Sequence, residues 1–107
     1  MDAVERQVEA YNAGDADAFV ACYAEEVAFE DAGGGVRMSG RAELRKDYAE
    51  LFASCPNLHA EIENRIRVGP YVVDDERVSG RPGGDLHVIA IYRLDENGLI
   101  DRVRFLR

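Results

Sequence analysis

Apolar residues return every three or four positions along the first half of the chain and every second position along the second half. Val4, Val8 and Tyr11 stand at i, i+4 and i+7 with Glu5, Arg6, Gln7 and Glu9 between them, which predicts an amphipathic helix closed by Asn12-Ala13-Gly14. Asp15 then occupies an N-cap position, where its carboxylate can accept an amide hydrogen of the next turn. Phe19, Val20 and Tyr23 give that second, short helix its apolar face, so the two helices form a hairpin. Val27 to Phe29 are strand formers that lead into Glu30-Asp31, and Gly33-Gly34-Gly35 permits a positive-φ reversal into Val36-Arg37-Met38. A β-hairpin is expected there. Ser39-Gly40 opens a third helix, in which Leu44, Tyr48, Leu51 and Phe52 repeat at helical spacing until Cys55-Pro56 stops it.

From Leu58 the period becomes two. Leu58, Ala60, Ile62, Asn64, Ile66 and Val68 are expected on one face, and His59, Glu61, Glu63, Arg65 and Arg67 on the other. Gly69-Pro70 turns the chain into a second strand over Tyr71 to Ser79, which the acidic Asp74-Asp75-Glu76 group is expected to bend or divide. After the loop Gly80-Arg81-Pro82-Gly83-Gly84 comes a strand over Leu86 to Leu94. Asp95-Glu96-Asn97-Gly98 is a hairpin turn, and Leu99 to Leu106 the closing strand. Helices first and antiparallel strands afterwards define an α+β fold: three N-terminal helices packed on a strongly curved, mostly antiparallel sheet, forming a cone with an apolar pocket. Residues 1–107 are expected to form a single domain, since a chain of this length has material for one core.

Composition narrows the partners. With 47% hydrophobic and 32% charged residues the chain is of globular type. A formal net charge of -8, with 13 dispersed Lys and Arg, argues against nucleic acid and against anionic membrane surfaces. Cys22 and Cys55 show no CxxC spacing and no neighbouring His, so neither a zinc site nor a disulfide framework is expected. The start Met1-Asp2-Ala3-Val4-Glu5 has no basic and apolar leader pattern, and a cytoplasmic location is expected. His59 falls with the charged face of its strand. His87 falls opposite Leu86, Val88, Ala90 and Tyr92, and no third ligand stands at helical or strand spacing from Asp85-Leu86-His87. No metal and no cofactor are expected.

The residues that invite chemistry are the adjacent acids at the end of the first strand. If Val27 and Phe29 face the pocket, alternation carries Asp31 with them and turns Glu30 away. A desolvated carboxylate there would be a competent base, whereas a carboxylate that only caps the glycine turn would have no such role. Tyr11-Asn12-Ala13-Gly14-Asp15, then Val27-Ala28-Phe29-Glu30-Asp31, then Ser39-Gly40-Arg41 opening a helix, resemble the ketosteroid isomerase and SnoaL-like branch of the nuclear transport factor 2-like superfamily. That resemblance runs from about Val4 to Phe52 and again from Leu86 to Leu106. It implies a conical α+β fold with a deep apolar pocket, commonly dimeric through the outer face of the sheet.

Carried onto this chain, the resemblance makes Asp31 the residue that moves a proton between two carbons and Tyr48 a supporting phenol. It puts Gln7 and Ala90 at the two oxyanion-hole positions, where Gln7 offers an amide N–H and Ala90 offers nothing. Gln7, Tyr11, Phe29, Phe52, Val88, Ala90 and Tyr92 are the expected pocket wall. Two functions follow as expectations. One is isomerase-type proton transfer on a small apolar carbonyl compound with Asp31 as base and Tyr48 or Gln7 as donor. The other is a non-catalytic, dimeric ligand-binding or accessory domain holding a small apolar ligand. Ile89 and Ile91, on the face opposite the pocket, would meet across a homodimer interface.

Overall fold

A computed structural model describes residues 1–107. The first helix, α1 (Ala3–Ala13), begins at Asp2, whose carboxylate accepts the Glu5 amide hydrogen at 3.0 Å while Glu5 reaches back to the Asp2 amide at 3.1 Å. This reciprocal capping box satisfies two donors that the first turn would otherwise leave open. Gly14, at φ 68°, ends the helix in the left-handed conformation. The second helix, α2 (Ala16–Val20), is capped by Asp15 as expected, but it is shorter than expected. Tyr23 belongs instead to the first strand, β1 (Tyr23–Glu30), which pairs antiparallel with β2 (Val36–Ser39). Then follow α3 (Arg41–Ser54), β3 (His59–Val68), β4 (Tyr71–Ser79), β5 (Leu86–Leu94) and β6 (Ile100–Leu106).

The six strands form one curved sheet in the order β2-β1-β6-β5-β4-β3. Every pairing is antiparallel except β1 with β6, which run parallel. The three helices cover one face, and Val4, Phe19, Val27, Leu44, Val72, Ile100 and Val103 pack the layer between. Asn12 fastens α1 to the outermost strand: its side-chain amide donates to the Ala60 carbonyl at 3.0 Å and accepts the Ala60 amide hydrogen at 2.7 Å. No helix is long and apolar enough to cross a membrane.

Two features correct the sequence reading. The acidic group of β4 neither bends nor divides the strand, which pairs without interruption from Tyr71 to Ser79. In β3 a bulge at Glu63 inserts one extra residue between Ile62 and Asn64 and exchanges the faces beyond it. Ala60 and Ile62 point toward the helices as expected. Past the bulge Arg65 and Arg67 point inward, while Ile66 and Val68 lie on the outer face, 59% and 66% exposed.

Candidate functional site

A cavity of about 400 Å³ opens between the helices and the inner face of the sheet. Its aromatic wall comes from every layer: Tyr11 of α1, Phe19 of α2, Tyr23 and Phe29 of β1, Tyr48 of α3 and Tyr92 of β5. The rings pack on one another, with Phe19 stacked on Tyr48 at a centroid distance of 4.6 Å and Tyr11 set edge-on to Phe52 at 5.6 Å. Rigid aromatic walls of this kind hold a cavity open, because the rings are braced and cannot collapse into the space.

One polar chain crosses the wall. The Tyr23 hydroxyl donates to Gln7 Oε1 at 3.1 Å, Gln7 Nε2 donates to the Tyr92 oxygen at 3.2 Å, and the Tyr92 hydroxyl donates to Glu76 Oε1 at 3.1 Å. Each member uses the next as its acceptor, so the direction of every hydrogen bond is fixed and ends on the carboxyl. Glu76 is only 6% exposed. Burial lifts its pKa from 4.5 to about 7; Asp74 pushes in the same direction, and the Tyr92 hydrogen bond and Arg65 oppose it. Burial likewise lifts the phenol of Tyr11 to about 12 and those of Tyr23, Tyr48 and Tyr92 above their usual value, which keeps all four protonated near neutrality. Gln7 is spent within the chain and holds Tyr23 and Tyr92 in place. Tyr11 and Tyr48 have no protein partner for their hydroxyls, so both are free to donate to a ligand.

Asp31 stands elsewhere. β1 stays in register with β6 through its last residue, Glu30, the bulge in its pairing with β2 falling at Arg37, and Asp31 lies beyond the strand in the glycine turn. Its Oδ1 accepts the amide hydrogens of Gly33 at 3.0 Å and Gly35 at 2.9 Å. The side chain is 43% exposed and lies 3.7 Å from Arg37. It does not line the cavity, which corrects the face assignment made from alternation. Glu30 turns to the outer face as expected and meets Arg104 at 3.0 Å and Arg102 at 3.5 Å.

Of the other expected wall residues, Gln7, Tyr11, Phe29, Tyr48, Val88 and Tyr92 do line the cavity. Ala90 is wholly buried in the core, opposite Asp74, and Phe52 packs behind Tyr11 and Tyr48 rather than on the cavity surface. Lining residues that the sequence reading did not place on the wall include four with polar groups: Tyr23, Glu76, Arg81 and Arg107. Tyr23 was taken into α2. Glu76 was legible in principle, since Val72, Asp74, Glu76 and Val78 alternate strictly, and all four are buried.

The outer face brings Glu63, Asp75 and His87 together from three strands, with one ligand atom of each within 4.8 Å of the others. These side chains already serve one another and their neighbours. His87 Nε2 lies 2.6 Å from Asp75, Asn64 donates to the second Asp75 oxygen, and Arg77 pairs with Glu63.

Three helices over a curved six-stranded sheet, with an aromatic cavity between the layers, define a protein of the nuclear transport factor 2-like superfamily with the cystatin-like fold. The model of the SnoaL-like domain family matches residues 4–103, and the chain belongs to that family. Comparison with curated proteins gives no match. Among solved structures, an uncharacterized cystatin-fold protein from Novosphingobium aromaticivorans is 29% identical and superposes with a TM-score of 0.88 over 98% of this chain and 95% of its own. A candidate polyketide cyclase from Sinorhizobium meliloti is 22% identical, with a TM-score of 0.81 over 97% of this chain and 93% of its own. A computationally designed 17-OHP binder is 16% identical, with a TM-score of 0.83 over 98% and 88%.

Proposed function

We propose that this chain is a small-molecule enzyme of the proton-transfer type, isomerase- or cyclase-like, acting on an apolar carbonyl compound with Glu76 as the acid–base group. One observation carries the reading: a carboxyl on the cavity wall whose pKa is raised to about 7 by burial. Such a group is neither too weak to take a proton nor too strong a base to return it near neutrality. As carboxylate, Glu76 would remove a proton from the carbon beside the carbonyl, and Tyr48 or Tyr11 would donate a hydrogen bond to the oxygen on which charge develops. The electron pair of the broken C–H bond moves into the enolate, and the proton returns from Glu76 to a second carbon. The chain Tyr23–Gln7–Tyr92 fixes the carboxyl without neutralising it.

The test follows deuterium entering the position beside the carbonyl of small enones and cyclic ketones in heavy water. Exchange should rise with pH through about 7. Glu76→Gln should abolish it while retaining affinity; exchange that survives this substitution would end the reading. A non-catalytic ligand-binding domain is the second reading. It is favoured by the two oxyanion positions that the resemblance implies, since Gln7 is held by Tyr23 and Tyr92 and Ala90 lies in the core, and by the similar fold of a computationally designed 17-OHP binder. It predicts that ligands bind and leave unchanged.

The reading includes a cytoplasmic homodimer formed through the outer face of the sheet, where Ile66, Val68 and Tyr71 are exposed beside Val73, Ile89 and Ile91. Sedimentation at micromolar concentration should give a dimer that Ile66→Glu dissociates, and a monomeric wild type would refute the assembly.

A further inference from the structure

The rim of the cavity points to a class of ligand, an inference that rests on the cavity being a binding site. Most arginines of the chain are matched to carboxylates, among them Arg65 to Asp74, Arg93 to Asp101, Arg102 and Arg104 to Glu30, and Arg45 to Asp17. Arg81 and Arg107, the two that line the cavity, have no carboxylate partner. Arg81 makes a single 3.3 Å hydrogen bond to the Gly84 carbonyl within its own loop, and the neighbouring Asp85 does not pair with it. In a chain with a net charge of -8, two unclaimed guanidinium groups on one rim leave room for an anion that the protein does not itself supply.

We propose that the cavity takes an amphipathic carboxylic acid, its apolar body among the aromatic walls and its carboxylate held at the rim by Arg81, with Arg107 beside it. A planar guanidinium fork matches a carboxylate with two parallel hydrogen bonds. At the half-exposed rim the carboxylate keeps part of its hydration, so the desolvation cost that burdens a buried ion pair is reduced. Arg81 faces the cavity electrostatically: its charge opposes the rise in the Tyr11 phenol pKa. Glu76 takes its charge environment from Asp74 and Arg65 instead, so the ligand's charged end and the titrating carboxyl are served by different groups.

The test compares 2-naphthylacetate with 2-naphthylacetamide, near-isosteres that differ in charge, by titration calorimetry at about pH 6, where Glu76 is mostly protonated. The acid should bind at least about tenfold more tightly than the amide. Arg81→Gln should erase that preference and leave amide affinity intact. Arg45→Gln, which removes the same charge from a distant exposed pair, should leave the preference in place. Equal binding of acid and amide to the wild type would overturn the anion proposal while leaving the cavity reading standing, and so would a loss of preference in Arg45→Gln as large as in Arg81→Gln. Failure of both probes to bind would overturn the cavity reading and the proposal with it.

Discussion

Asp74 and Glu76 are two residues apart on β4, point to the same side of the sheet and are both buried, yet the regions around them are built to opposite ends. Asp74, at 0% exposure, receives both arms of the Arg65 guanidinium at 2.6 and 2.8 Å. Beside this pair, Arg67 joins Asp2 and Glu5 under the start of α1, so helix, edge strand and β4 are tied by matched charges. Glu76 receives a neutral phenol and faces open volume. One carboxyl is consumed in holding the structure; the other is left unneutralised where a ligand can reach it. The difference comes from the neighbour strand: the Glu63 bulge brings Arg65 inward opposite Asp74, while Glu76 stands opposite Ile62.

The sharpest way to break the comparison is to remove the matched cation. Arg65→Met should cost about 3–5 kcal/mol in chemical denaturation, because it leaves a fully buried carboxylate alone, and Arg65→Met with Asp74→Leu should recover most of that loss. An additive double variant would mean that Asp74 and Arg65 do not act as a unit.

Glu76→Gln should do the reverse, and its effect depends on pH. The folded-state pKa of about 7 lies above the reference 4.5, so the native state holds the extra proton between these values. Stability therefore falls as pH rises through that window and is level above it. The variant should match the wild type below about pH 4.5 and exceed it by as much as about 3 kcal/mol above about pH 8. A difference that does not change with pH would mean that Glu76 titrates as an ordinary carboxyl.

Two smaller effects sharpen the picture. Tyr92→Phe deletes the hydrogen bond that lowers the Glu76 pKa and leaves Gln7 Nε2 without its acceptor. The Glu76 titration, followed by carbon-detected NMR, should move upward, and stability should drop by about 1–2 kcal/mol. Asp31→Ala should cost about 1 kcal/mol or less through the lost turn hydrogen bonds, with the Glu76 titration unmoved. A shift of that titration would return Asp31 to the cavity.

The helices and the succession of strands along the chain were legible because their signals are local: Asp15 before Phe19 and Val20, and the repeat of Leu44, Tyr48 and Leu51, need no distant partner to be read. Much of the aromatic wall was legible too, since Tyr11, Phe29, Tyr48 and Tyr92 fall on the inward positions of their elements. What failed depended on features that the period of the sequence does not record. The Glu63 bulge leaves no mark in the pattern, because Arg65, Ile66, Arg67 and Val68 alternate equally well in either phase. Asp31 was lost because β1 keeps its alternation only through Glu30 and ends there, after which the Asp31 carboxylate turns to the Gly33 and Gly35 amides. Glu76 was overlooked for a different reason: three consecutive acids suggest solvent, and only the positions on either side, Val72 and Val78, reveal that two of them turn inward.

The clasp between Asn12 and Ala60 has a consequence for the behaviour of many copies together. β3 is a ten-residue strand at the border of the sheet, the kind of edge on which another chain can lay a strand and begin a fibril. Asn12 fills the Ala60 backbone position with a side-chain amide that imitates a neighbouring peptide group. An incoming strand would have to displace α1 from that point to pair along the full edge, so the residue that seats the first helix also guards the protein against open-ended polymerisation.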